Sequence, residues 1–341
     1  MVVGIVRPAR DVDWAIMKLA TTGPEAFPLG LGCMGMSGVY GPSDEAESVR
    51  TIQTAIERGV TFIDTGDFYG MGHNEMLVGR AIAGRRDRVQ LSVKFGALRG
   101  PDGGWLGTDT RPAAVKTFAA YSLKRLGVEA IDVYRPARLD PAVPIEETVG
   151  AIADLVKAGY VRHIGLSEVG VETIRRAQAV HPIADLQIEY SIASRAPEAK
   201  IFPALHELGI AATLYGVFSR GLLTGSKVGG KGDFRAFLPR FAGEQRAKND
   251  EVVERLRAFA AKRGMTPAQL AIAWVRAREP GFLPVIGART VAQLTDALGA
   301  VADRMSLSAE DVARVEAIAP TEAIGGARYG ADGMRGLDSE R

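Results

Sequence analysis

The sequence predicts an α/β protein built as one (β/α)8 TIM barrel, and three observations carry that prediction. Short apolar runs alternate with helix-forming stretches eight times along the chain, which is the pattern of a closed parallel barrel. The length of 341 residues suits a single domain of that kind. A doubly wound open sheet, the alternative, announces itself by GxGxxG between its first strand and helix; "GLGCMGMSG" lacks that spacing.

The units follow in order. "PLGLGCM" (28–34) precedes "SDEAESVRTIQTAIERG", where Ser43 is expected to cap the helix, acids load its first turn and Gly59 closes it. "TFIDTGD" (61–67) precedes "NEMLVGRAIAG". "VQLSVKF" (89–95) precedes "TRPAAVKTFAAYSLKRLG", with Pro112 suited to the first turn. "AIDVYRPA" (130–137), "VRHIGLSE" (161–168) and "ADLQIEYS" (184–191) each precede a helical stretch. "IAATLYGV" (210–217) is followed by a long loop and helices near 248–263 and 267–278. "FLPVIGA" (282–288) precedes "TVAQLTDALGAV". The irregular stretch 226–245 reads as a lid, with Gly229, Gly230 and Gly232 as hinges and Phe234, Phe237 and Phe241 as groups to bury. Long βα loops of this sort are expected to cover the C-terminal mouth. The expected organisation is an extension over residues 1–16, the barrel over 17–330 and a tail over 331–341.

Composition removes several function classes. Lys plus Arg number 42 against 40 Asp plus Glu, a net +2, which gives no electrostatic reason for a nucleic-acid or membrane partner. One cysteine, Cys33, excludes an intrachain disulfide. The four histidines are scattered without an HxH or HExxH pair, so no metal is expected. The N-terminus makes a poor leader and no apolar run could span a membrane. The expectation is a cytoplasmic protein acting on a small molecule, with oligomerisation left open.

In such a barrel, chemistry sits where strands end. Asp64 lies near the end of the second strand, Tyr69 five residues on, and Lys94 at the end of the third. A carboxylate orients an ammonium, and an ammonium beside a phenol lowers its pKa towards working pH. A tyrosine so tuned gives a proton to a carbonyl oxygen or takes one from an alcohol.

"FIDTGDFYGMGHNEMLVGRA" resembles the signature of the aldo-keto reductases, D-T-x-x-x-Y-G followed by N-E and a G-x-A helix. "GLGCMGMSGVYG", "GYVRHIGLSEV", "LQIEYS", "GLLTG", "DFRAFLPRF" and "PVIGARTVAQL" resemble further family segments in order, so the likeness runs from about Met17 to Gly330. The resemblance implies a nicotinamide cofactor laid across the barrel mouth and reduction of aldehydes or ketones, or the reverse oxidation. It makes Asp64, Tyr69 and Lys94 catalytic, gives Ser167 and Gln187 the nicotinamide carboxamide, and stacks Tyr215 on the ring. Gly216, Ser219, Arg220 and Gly221 fall in its pyrophosphate loop, and Arg289, Thr290 and Gln293 at its adenosine end. Gly35, Met36 and Gly287 complete the expected cofactor contacts. Arg289 at the start of a helix with free N–H groups suits a 2′-phosphate, hence NADPH; otherwise it neutralises a surface acid such as Asp296.

The sequence departs from the family at several positions. Glu168 and Ala297 stand where asparagine is frequent, and "YGVFSRG" replaces Y-S-P-L. Ala137 stands where the family has a histidine that donates to the substrate carbonyl. Ala137, Arg135 and Trp105 are the substrate-pocket candidates. Arg135 shares a strand face with Ala137 and is expected to pair with Glu189 or another buried acid, or to act on the site electrostatically. Cys33 reads as a buried small hydrophobe, and His73 as a solvated loop residue. The missing histidine keeps two other readings open: an NADP(H)-binding protein of low turnover, and a reductase of conjugated alkenes.

Overall fold

The computed structural model describes residues 17–19, 23, 25–229 and 232–341; Gly230 and residues 1–16 lie outside them. Eight parallel strands close into a barrel: β1 (Gly30–Gly32), β2 (Phe62–Gly66), β3 (Gln90–Phe95), β4 (Ile131–Pro136), β5 (Val161–Ser167), β6 (Ile183–Glu189), β7 (Ala211–Tyr215) and β8 (Leu283–Gly287). β8 pairs back onto β1, with Ile286 beside Leu31. The eight predicted strands are these eight. Their apolar, β-branched composition fits burial on both faces: β2, β4 and β6 are buried along their whole length.

The helices packed around the barrel begin with α1 (Glu45–Glu57), α2 (His73–Ile82), α3 (Pro112–Leu126), α4 (Ile145–Lys157), α5 (Val171–Val180) and α6 (Pro197–Leu208). Pro112 opens α3 and Gly127 closes it in the left-handed region, φ 67°. Two helices, α7 (Gly243–Lys262) and α8 (Pro267–Arg278), follow β7, and α9 (Val291–Leu298) follows β8. The cap of α1 differs from expectation. Asp44 accepts from the Glu47 N–H at 2.6 Å, while the Ser43 hydroxyl donates to the Met36 carbonyl. Both are capping residues, and the one with extended backbone next to the first turn prevails.

An antiparallel pair, Met17–Lys18 with Glu25–Ala26, precedes the barrel. Leu19 and Ala26 pack there against Phe62, Val133, Ala211 and Leu283. Three of these open β2, β7 and β8, so the cluster stoppers the bottom of the barrel. The mouth is covered differently. Residues 226–245 form two short 3-10 turns, Phe234–Phe237 and Pro239–Phe241. Buried Arg235 pairs with Asp233 and donates to the carbonyls of Arg220 and Lys227, pinning the segment to the loop after β7. Phe241 is buried, but Phe237 is 85% exposed, against expectation; the polar anchor holds the segment without it. α10 (Ala309–Ile318) and the short α11 (Ala331–Arg335) lead the chain back to the mouth. Leu337 is buried there, and Asp338 accepts from the Gly170 N–H and the Thr173 hydroxyl. No helix among the described residues is long and apolar enough to cross a membrane.

Candidate active site

Parallel pairing of β2 and β3 sets Gly66 beside Lys94 and Asp64 beside Ser92. This register brings Asp64 and Lys94 into one buried cluster. The Lys94 ammonium donates to Asp64 Oδ1 at 2.5 Å and to Gln187 Oε1 at 2.8 Å. Gln187 Nε2 and the Ser92 hydroxyl donate to Asp64 Oδ2 at 2.8 and 2.7 Å. Both oxygens of the carboxylate are thus engaged, and the ammonium is fixed. Gln187, expected to hold a carboxamide, also joins this charged cluster from β6. Ser167, its register partner on β5, is buried at the strand end.

Tyr69 stands above, with the Lys94 ammonium 5.3 Å from its ring centroid. Its backbone is held by α2: the Asn74 N–H donates to the Tyr69 carbonyl, and the Asn74 amide donates to the Cys33 carbonyl and the Ser37 hydroxyl. The N-E pair of the sequence is therefore structural, with Glu75 paired to Arg125. His73 is half-exposed but lies at a helix start rather than in a loop. It opens α2 and contacts Ser37 Oγ and Glu45 at 2.9 and 2.8 Å, because the turn before the helix brings it against the loop after β1.

The electrostatics of Tyr69 also depart from expectation. Burial, then the Asp64 carboxylate, push its pKa well above the usual phenol value, and Arg138 opposes them. Lys94 spends its charge on Asp64; burial, with the charges of Arg135 and Arg138, lowers its pKa against the raising influence of Asp64. The phenol is thus protonated at working pH. Cys33 is fully buried, and burial pushes its thiol up, as expected of an inert side chain.

Arg135 points into the barrel interior, fully buried, and meets Asp185 at 3.0 Å rather than Glu189. Its Nη1 donates to the Thr213 hydroxyl, which donates to Asp185. Gly165 makes room for the pair: a Cβ there would lie 2.6 Å from Asp185 Oδ1. Enclosed in this way, Arg135 cannot line a substrate pocket. Ala137 is buried after the end of β4. Trp105 is 52% exposed on a rim hairpin, where Arg99 lies 5.5 Å from its ring and 6.0 Å from that of Phe68.

Glu168 was unremarked in the sequence beyond its departure from asparagine, yet it organises one side of the mouth. It adopts φ 55° and accepts from both Arg328 nitrogens, the Ser339 hydroxyl, the Tyr215 hydroxyl and the Glu189 N–H. Tyr329 lies between Arg220, 4.4 Å from its ring centroid, and Arg138 and Arg328, at 5.9 and 5.8 Å. No local sequence signal marks this group, because its members are far apart along the chain.

The glycines and cations of the mouth suit a dinucleotide. Gly216 has φ 72°, and a Cβ there would meet Glu189 at 2.8 Å; only glycine serves. Ser219 and Arg220 both adopt left-handed φ, 47° and 56°, a strained turn of the kind kept at ligand sites. At Gly221 a Cβ would meet Ser226 at 2.6 Å. Gly287 ends β8 with open space at its Cα. Gly35 packs under Tyr40 and Arg289, and Met36 is buried beside it. Arg289 meets only the carbonyls of Tyr40 and Pro42, at 3.4 and 3.5 Å, and no carboxylate among the described residues. Asp296 is taken up by Thr266 and Gln269 instead. Thr290 caps α9, and Gln293 accepts from the Arg289 N–H. The helix start is less open than expected, since the Val291 N–H already donates to Glu47. No cluster of metal-ligating residues occurs among the described residues.

Comparison with known proteins bears on the family and the fold. Residues 28–320 match the model of the aldo/keto reductase family. The chain is 41% identical over 329 residues to a probable aldo-keto reductase of Glycine max, covering 94% of this chain and 92% of that one. Among solved structures it resembles the glycerol dehydrogenase of Gluconobacter oxydans (TM-score 0.80, 27% identity, 92% of this chain and 98% of that one). It also resembles the holo form of an aldo-keto reductase of Bacillus halodurans (TM-score 0.76, 28% identity, 91% and 97%).

Proposed function

The chain belongs to the aldo/keto reductase family of oxidoreductases, and on that premise we propose that it reduces aldehydes or ketones with NADPH, or runs the reverse oxidation, with Tyr69 as the proton donor. The observation that carries this reading is the buried Asp64–Lys94–Gln187 cluster beneath Tyr69 at the mouth of the barrel.

When bound, the nicotinamide supplies or accepts the hydride. The chain's own residues handle the proton. Tyr69, held protonated by burial and by Asp64, donates its phenolic proton to the substrate oxygen as negative charge develops there. The Lys94 ammonium, 5.3 Å from the ring, and the Arg138 charge then offset the phenolate. Asp64 and Gln187 keep Lys94 from swinging away. Gly216, the strained Ser219–Arg220 turn, Gly221 and Gly287 leave backbone access for a pyrophosphate, with Ser167 and Tyr215 facing the nicotinamide end. Gly35, Met36, Thr290 and Gln293 frame the adenosine end.

Arg289, without a carboxylate partner among the described residues, supports a 2′-phosphate and hence NADPH over NADH. Titrating both cofactors by protein-fluorescence quenching tests this: NADPH binds more tightly, and Arg289→Ala erases the difference. Equal affinities in the wild type refute it. A second reading, an NADP(H)-binding protein of low turnover, draws on buried Ala137, which offers the substrate no hydrogen-bond donor. Reduced-nicotinamide consumption with a panel of aldehydes, ketones, quinones and enones separates the two.

A further inference from the structure

We propose that Arg138 is a substrate-binding residue and that the substrate is a carbonyl compound bearing a carboxylate group. This rests on the reductase reading above and names the substrate class of the same site.

Three guanidinium groups surround the Tyr329 ring, but only two of them close ion pairs. Arg220 pairs with Glu189 at 2.9 Å, and Arg328 pairs with Glu168 at 2.6 Å. Arg138 has no carboxylate within ion-pair distance among the described residues. Its Nη1 donates to the Ala137 carbonyl at 2.6 Å, and its Nη2 donates to the Tyr329 hydroxyl at 3.3 Å. Burial disfavours its charge, but Tyr329, Tyr215 and Glu168 outweigh that from a distance, so the charge is supported at longer range while no carboxylate closes a direct two-bond pair with it.

An anion paired directly with Arg138 would lie next to the reacting centre. Arg138 follows directly on Ala137 at the end of β4, and its charge bears on both Tyr69 and Lys94. A planar guanidinium matches a carboxylate in a two-bond fork, which a neutral carbonyl compound cannot supply. The Tyr329 oxygen occupies the acceptor position that one carboxylate oxygen would take. That position favours negative charge: burial alone would raise the Tyr329 phenol, but Arg220 and Arg138 outweigh it and lower its pKa.

The test compares benzaldehyde with ortho-, meta- and para-carboxybenzaldehyde, with NADPH saturating. In the wild type at least one carboxylated isomer has the higher kcat/KM. Arg138→Met lowers the ratio of carboxylated to neutral kcat/KM by about 10 to 100-fold, the loss expected for a charge-assisted pair; Arg138→Lys recovers part of it. An unchanged ratio overturns the proposal. If the wild type reduces none of these aldehydes, the reductase reading fails separately, and benzoate binding measured by calorimetry decides the anion site. Binding in the wild type that weakens about tenfold or more in Arg138→Met supports it, and equal affinity or no binding overturns it. Tyr329→Phe covers the case in which Arg138→Met does not fold. It removes the competing oxygen, so benzoate affinity holds or rises; a fall overturns the proposal.

Discussion

Arg328 donates to both carboxylate oxygens of Glu168, at 2.9 and 2.6 Å, across 160 residues of chain. The pair ties the C-terminal segment to the end of β5, and Ser339 donates to the same carboxylate. Burial alone would raise the Glu168 pKa, but the hydrogen bonds and charge of Arg328, with the charge of Arg138, hold it down to about 2. A depressed carboxylate contributes stability in full above its unfolded pKa and loses it as pH falls through the folded value. That loss runs from about pH 4.5 to about pH 2. Arg328→Met leaves a buried carboxylate unpaired, at a cost of about 3–5 kcal/mol, and moves the acid-unfolding midpoint to higher pH. Circular dichroism against pH reads both effects.

Asp67 behaves in the opposite sense. Burial, then the Glu75 charge, raises its pKa to about 7. A carboxyl raised on folding is stabilising relative to its ionised form only while protonated, so stability falls between about pH 4 and pH 7 and levels off above. Asp67→Asn removes this slope. The melting temperatures of wild type and variant converge near pH 4 and separate progressively up to pH 7, with the variant the more stable.

The pair Arg135–Asp185 lies inside the barrel with both partners at most 1% exposed. Asp185→Ala strands a buried guanidinium and costs about 3–5 kcal/mol, whereas replacing both partners by apolar residues of similar size costs far less. Denaturant unfolding of the single and double variants checks this.

Some of this molecule was legible in its sequence, and the reasons are physical. The eight barrel strands were, because burial on both faces demands continuous apolar runs bounded by glycine and polar turns. Asp64 and Lys94 could be brought together because strand register places neighbours. The capping of α1 by Asp44 rather than Ser43 was not legible, since the two compete locally and backbone geometry decides. The surroundings of Glu168, Tyr329 and Arg138 were not legible either. Their partners come from distant loops and from the C-terminal segment, and neither periodicity nor spacing records such pairings. The raised pKa of Tyr69 was missed for a related reason: desolvation depends on the whole mouth, and Lys94 is committed to Asp64.

Tyr69 as the proton donor is the central claim, and single-turnover reduction by Tyr69→Phe tests it most directly. With cofactor affinity confirmed unchanged, the rate of the chemical step is predicted to fall by roughly 10²–10⁴-fold, the usual contribution of a positioned acid. A variant that binds NADPH normally and turns over at the wild-type rate would contradict the account.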